Sequence, residues 1–225
     1  MMVYMKVYVF FCLSLFIISA GNAGVVVNGT RFIYPAEQQS ISIGVRNTED
    51  APFLVKSRVL TTGLQDADTF LITPPLFSLH SLEENKIRIL YTGEALAKDR
   101  ETLFYVVISA IPSGKAGANQ IQVAIRSRFN LYYRPDGLPG KSDSAYEKIE
   151  VTRTDTKLLL RNPTPYYVTL LQFTIEGSLR PATMIAPFSV SAVASDCPPK
   201  AGCRIQWQTL NDEGALLVPV QKTIF

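Results

Sequence analysis

The chain has 225 residues, with 22 basic and 19 acidic side chains and a formal charge of +3. That near balance gives no general signal for binding nucleic acid or another polyanion. One histidine and three cysteines leave too few nitrogen and sulfur ligands for a zinc centre, which takes about four, and they give acid–base or nucleophilic catalysis little to build on.

The N-terminus carries one basic residue, Lys6, then an apolar run from Val7 to Ala20, then the small residues Gly21 and Ala23. This is the layout of a secretory signal peptide, with cleavage expected after Ala23. The run is shorter than the roughly 20 apolar residues of a spanning helix. No later stretch is long and apolar enough to span as a helix, so no membrane insertion is expected. Cleavage takes the charge from +3 to +2 by removing Lys6. The remaining chain suits one large β domain or two ordinary ones.

Beyond Gly24 the pattern is β almost throughout. Short alternating or continuous apolar runs are punctuated by Pro, Gly, Asn and Asp. Strands are expected over Ile41–Val45, Phe53–Leu60, Phe70–Ile72, Ile87–Tyr91, Leu103–Ile111 and Ile121–Tyr133. A second group is expected over Glu147–Thr152, Lys157–Leu160, Tyr166–Ile175, Ser189–Val193, Ile205–Leu210 and Leu216–Phe225. The one helix-like patch is Gly93–Lys98. Two groups of this size fit two immunoglobulin-type sandwiches. Pro135, Gly137, Pro139 and Gly140 crowd the stretch between them and predict a hinge. The expected layout is therefore a signal peptide over 1–23, one domain over 24–136, a hinge over 137–142 and a second domain over 143–225.

Ile121–Tyr133 is long against the usual 5–6 residues of a strand. Alternation puts Ile121, Val123 and Ile125 on one face and Arg126, Arg128 and Asn130 on the other. A long strand with an apolar stripe is an aggregation hazard at a sheet edge, and it is also what one chain needs in order to lend a strand to another.

Catalytic motifs are missing. His80 sits in a turn-like segment, and neither a Gly-x-Ser-x-Gly elbow nor a His-Glu-x-x-His helix occurs. Gly137, Gly140, Lys141 and Ser142 have two residues between the glycines where a phosphate-binding loop has four. The expectation is a binding protein that is not an enzyme and needs no cofactor. Cys197 and Cys203 survive signal cleavage as an even pair in an exported chain, which predicts a disulfide.

Several segments together resemble the periplasmic pilus chaperones of the PapD type. They are Thr30-Arg31-Phe32-Ile33-Tyr34-Pro35; Thr73-Pro74-Pro75-Leu76-Phe77; the run Leu96 to Tyr105 closing at Ile111-Pro112; Leu131-Tyr132-Tyr133-Arg134-Pro135; Asn162 to Val168; and Trp207 with Leu210 to Gly214. The resemblance implies two immunoglobulin-like domains at an angle around a cleft. It implies a periplasmic protein whose partners are pilus subunits and an outer-membrane usher, with a self-capped homodimer as a possible unloaded form. It makes Ile121, Val123 and Ile125 the side chains donated to an incomplete subunit, and Arg31 the anchor for the subunit's C-terminal carboxylate. Glu101, Arg134 and Asp212 match the family's interdomain charge network. The short segment between Pro112 and Gln120 resembles the short-loop subfamily. Two positions depart from the family pattern: Asn130 stands where the family has a second anchoring Lys, with Arg128 on the same face as a candidate substitute, and Val107 stands where it usually has Asn. An outer-membrane β-barrel and an exported pilus subunit or adhesin are the competing readings. Leu103–Ile111, apolar on both faces, argues against the barrel's alternation.

Overall fold

A computed structural model describes residues 24–114, 122–198 and 201–225. Its N-terminal half comprises β1 (Val25–Val27), β2 (Arg31–Pro35), β3 (Ile41–Asn47), β4 (Phe53–Leu60), β5 (Phe70–Thr73), β6 (Leu76–Leu79), β7 (Glu84–Tyr91), β8 (Thr102–Pro112) and β9 (Ile125–Arg134). One sheet has the order β1-β3-β7-β5 and the other the order β2-β9-β8-β4-β6. The opening segment thus changes sheets between Val27 and Arg31. β1 pairs antiparallel with β3, whereas β2 pairs in parallel with β9, from Arg31 opposite Asn130 to Pro35 opposite Arg134.

Strict alternation builds the layer between these sheets. β3 turns Ile43 and Val45 inward and β4 turns Phe53, Val55 and Val59 inward. β8 contributes Phe104, Val106, Ile108 and Ala110, and β9 contributes Phe129 and Leu131. The odd-numbered residues of β9 therefore face this core, and Arg126, Arg128, Asn130, Tyr132 and Arg134 lie on the outer face.

The C-terminal half opens with a short helix, α1 (Ser142–Ala145), and a 3-10 turn (Tyr146–Lys148). There follow β10 (Glu150–Arg153), β11 (Lys157–Arg161), β12 (Val168–Ile175), β13 (Ser178–Leu179), β14 (Thr183–Ile185), β15 (Val190–Ala194), β16 (Cys203–Gln208) and β17 (Val220–Ile224). The sheet β10-β11-β15 faces β13-β12-β16-β17, with β14 also on β12. Leu158, Leu160, Phe173, Ile175, Ile205 and Trp207 fill the space between them. Trp207 is fully buried, and its indole N–H donates to the carbonyl of Tyr146 at 3.0 Å. The result is all-β with two immunoglobulin-like sandwiches, and among the described residues neither half closes into a barrel.

Several local expectations need correction, among them the strand expected from Leu216, which opens at Val220. Gly93–Lys98 is not helical: Thr92 N–H donates to Thr69 O, and the Tyr91 hydroxyl reaches Glu94 O at 2.6 Å, closing a turn that packs Leu96 on the core. The strand expected to open at Glu147 opens at Glu150 instead. Ala145, Tyr146 and Ile149 are buried together at a helical spacing, and tertiary packing settles the local conformation. The long strand expected from Ile121 starts at Ile125, so Val123 precedes it; Ile121 lies outside the described residues.

Candidate functional site: an interdomain cleft and a free strand edge

Arg31 is the first residue of β2, and the parallel register sets it opposite Asn130. One of its terminal nitrogens donates to the Leu210 carbonyl of the C-terminal domain at 3.1 Å. Its Nε is buried and has no protein partner. Asn130 Nδ2 donates to the Tyr132 hydroxyl at 2.8 Å. The Tyr132 ring lies 5.6 Å from that of Tyr167 across the domain junction. Burial raises the Tyr132 phenol above its ordinary value, with the Arg31 charge opposing, so it stays a neutral hydroxyl at physiological pH.

Arg128 goes elsewhere. Its guanidinium sits 4.8 Å over the Tyr105 ring. The cavity that holds Arg31 is lined by Tyr132, Arg134, Tyr167, Leu210 and Asp212, without Arg128.

Beside Arg31 the domains are joined by charge. Glu101 is almost fully buried; its Oε1 accepts from Arg134 Nε at 2.7 Å and its Oε2 from the Tyr167 backbone N–H at 2.7 Å. The two terminal nitrogens of Arg134 donate to both oxygens of Asp212 at 2.6 and 2.8 Å, a bidentate pair. Ser142 Oγ adds a bond to Asp212 at 3.1 Å. Desolvation dominates at Glu101 and raises its carboxyl despite Arg134. Asp212 is also pushed up by burial, but its bonds and charge contact with Arg134 outweigh this and hold it below the usual range. Burial would lower Arg134; Asp212 and Glu101 outweigh it and raise the guanidinium further. Two more contacts cross the junction: Glu101 N–H donates to Pro165 O at 2.9 Å, and Arg100 lies 4.9 Å over the Phe188 ring.

The second feature is an edge. β9 pairs with β8 along Ile125–Tyr133, but β2 covers its other side only from Asn130 onward. Among the described residues, Ile125–Phe129 has no strand on that side. Val123 and Ile125 are 65% and 51% exposed there, an unusual state for large apolar side chains beside unpaired backbone. In the C-terminal half, Cys197 and Cys203 form a disulfide, and Arg153 donates to the carbonyls of Cys197, Pro198 and Ala201 in the loop it closes.

The sequence singles out Arg31, Asn130, Glu101, Arg134 and Asp212, and the structure gathers them at one junction. Tyr132, Tyr167, Ser142 and Leu210 were missed. Alternation from Asn130 to Arg134 could have flagged Tyr132; Tyr167 and Leu210 lie inside segments that resemble the family but carry no role of their own there, and Ser142 reads as part of the hinge.

The profile for the N-terminal domain of PapD, described as a pili and flagellar-assembly chaperone, matches residues 24–139, and that for the PapD C-terminal domain matches residues 144–218. The chain belongs to the PapD family of pilus-assembly chaperones. The uncharacterized fimbrial chaperone YcbF of Escherichia coli K12 is 38% identical, covering 92% of each chain. The chaperone protein FimC of the same strain is 38% identical over 91% of this chain and 86% of its own. In three dimensions the periplasmic chaperone SfaE matches with a TM-score of 0.77 at 36% identity, covering 88% of this chain and 98% of its own. A chain from the complex of the Salmonella enterica SafA pilin with the SafB chaperone matches with a TM-score of 0.81 at 28% identity, covering 92% and 99%. This PapD-family chain is thus a fimbrial chaperone, with the two-sandwich fold of its relatives.

Proposed function

We propose that the protein acts in the periplasm, caps pilus subunits by lending them the open part of β9, and passes them to an outer-membrane usher. The observation that carries this reading is the continuity of two edges. The uncovered side of Ile125–Phe129 is prolonged by β2, which runs parallel to β9 and begins at Arg31. A subunit strand added there in the same direction would bring its C-terminus to Arg31. Its carboxylate would meet a guanidinium whose Nε lacks an acceptor. Ile121, Val123 and Ile125 would enter the subunit's core, each worth roughly 1.5–3 kcal/mol when fully buried. Main-chain hydrogen bonds would make the capture tolerant of sequence.

The same reading includes cleavage after Ala23, a hinge at residues 137–142 between domains 24–136 and 143–225, and self-capping of the exposed donor residues in a homodimer when no subunit is present. Asn130 stands in second place to Arg31 at the anchor, and Glu101, Arg134 and Asp212 hold the angle of the cleft.

The test is co-expression with the pilin-like product encoded beside it, followed by tagged recovery. Wild type should bring down a soluble subunit one-to-one. Arg31→Ala should reduce recovery at least about tenfold, the loss expected on leaving a buried charged partner unpaired. Equal recovery by both would overturn the anchor, and a subunit equally soluble without the chaperone would overturn the capping role.

A further inference from the structure

The outer face of the N-terminal sheet carries a groove of about 390 Å³ that the anchor and the donor edge do not use. Arg58, Leu60, Leu64, Val107, Arg126 and Arg128 line it. The register explains how it is built. Arg58, Val107 and Arg128 lie in one row across β4, β8 and β9. Lys56, Ser109 and Arg126 form the adjacent row. Four cations thus share one face of three neighbouring strands around an uncharged middle strand. Val107 and Leu60 are buried at 3% and 6% exposure and form an apolar floor. An Asn at position 107, the usual residue of the family, would give that floor a polar group instead.

Neither row places a carboxylate beside these cations. Among the described residues the ion pair in this groove is Arg58 with Asp66, at 3.5 Å and well exposed on both sides, and such a pair is worth little. The face is left strongly cationic over apolar ground. Arg126 and Arg128 stand two residues apart on an extended strand, so their attachment points are roughly 6.6–6.8 Å apart. Carboxylates at alternate residues of an extended peptide have the same spacing. Their methylene stems suit the Val107 and Leu60 floor. Arg126 and Arg128 also project from the part of β9 whose edge is open, so the groove adjoins the surface assigned above to the subunit.

We infer that this groove receives an acidic, extended segment of the bound pilus subunit, with Asp or Glu at alternate positions, on Arg58, Arg126 and Arg128. The inference rests on the chaperone reading for the identity of the partner. Its role is to speed and orient capture, since charges at the rim of an interface act mainly on association rate and salt dependence.

Two measurements test it. Fluorescence anisotropy of the purified protein would use a labelled ten-residue peptide with glutamate at alternate positions and its glutamine counterpart. Tagged subunit capture would be timed at about 50 mM and about 500 mM NaCl, conditions that change screening strongly. The expected result is about tenfold preference for the glutamate peptide at low salt, lost in the triple variant Arg58→Gln, Arg126→Gln, Arg128→Gln and restored with Lys at all three positions. The triple Gln variant should capture subunit about tenfold more slowly at low salt and as fast as wild type at high salt. Equal binding of the two peptides, or loss of the glutamate peptide in Arg31→Ala instead, overturns the groove. If wild type captures no subunit, the chaperone reading falls, and the peptide measurement still decides whether the groove takes acidic chains.

Discussion

Asn130 occupies the place opposite Arg31 where the family pattern has a lysine, and its amide is already engaged with the Tyr132 hydroxyl. On the proposed reading an incoming carboxylate would find Arg31 as the guanidinium not already paired with a carboxylate, since Arg134 is engaged by Glu101 and Asp212, and neutral donors would support it. Arg128 does not make up the difference, because its guanidinium is stacked on Tyr105 and outside the Arg31 cavity. A hydrogen bond to a charged donor contributes about 1.5–3 kcal/mol against about 0.5–1.5 for a neutral one. Asn130→Lys should accordingly tighten subunit binding about tenfold, measured by titration of the purified complex. No gain would mean that Arg128 or the Tyr132 hydroxyl already fills the second position. The departure itself was legible in the sequence, because Asn130 sits at a fixed distance from Arg134. The fate of Arg128 was not: alternation gives the face of a side chain, and the ring that captured Arg128 comes from the neighbouring strand.

At the scale of elements, sequence pattern served the strands well and the short helical pieces badly. Phe53–Leu60 coincides with β4, where inward-facing residues alternate through Phe53, Val55, Ser57 and Val59. α1 and the 3-10 turn are too short to show a helical period, and their position is set by burial of Tyr146 under Trp207. The disulfide was readable from compartment and count alone. It joins residues 6 apart in sequence beside β16, with Cys203 fully buried. Closing so small a loop contributes roughly 2 kcal/mol by chain entropy. Replacing both cysteines with Ala should lower the urea-unfolding free energy of the C-terminal domain by about that amount, while the N-terminal domain, whose core is separate, keeps its own transition. An unchanged C-terminal transition would show that the Arg153 clamp alone holds the loop.

Across the whole molecule, two carboxylates on one guanidinium respond in opposite senses. Asp212 is held below its ordinary value of about 3.9, so the stability it contributes is present above that pH and disappears as pH falls through the lowered value. Glu101 is raised above about 4.3; it favours the folded state below that pH, and this contribution is lost as pH rises through the raised value. The domain junction should therefore loosen in acid through Asp212. Small-angle scattering is expected to show the domains separating below about pH 4, with Asp212→Asn already loosened at neutral pH and flat across the same range. An acid transition of full size in Asp212→Asn would move the cause to other groups. The three residues were visible as a motif, but Ser142 and the Tyr167 amide, which complete the junction, belong to the C-terminal half, and nothing in their spacing shows that they reach Asp212 and Glu101.

The change of sheet between Val27 and Arg31 has a further consequence. Because β2 occupies the side of β9 from Asn130 onward, it acts as a fixed end-stop for any strand laid along Ile125–Phe129. A guest strand laid there as proposed would meet Arg31 at that stop, so its last residue would set the phase of all the others. One residue more or fewer would turn every guest side chain to the opposite face. On the proposed reading the site would work as a gauge: it would measure where a polypeptide finishes, and only chains whose apolar rhythm is in step with their own terminus would seat fully.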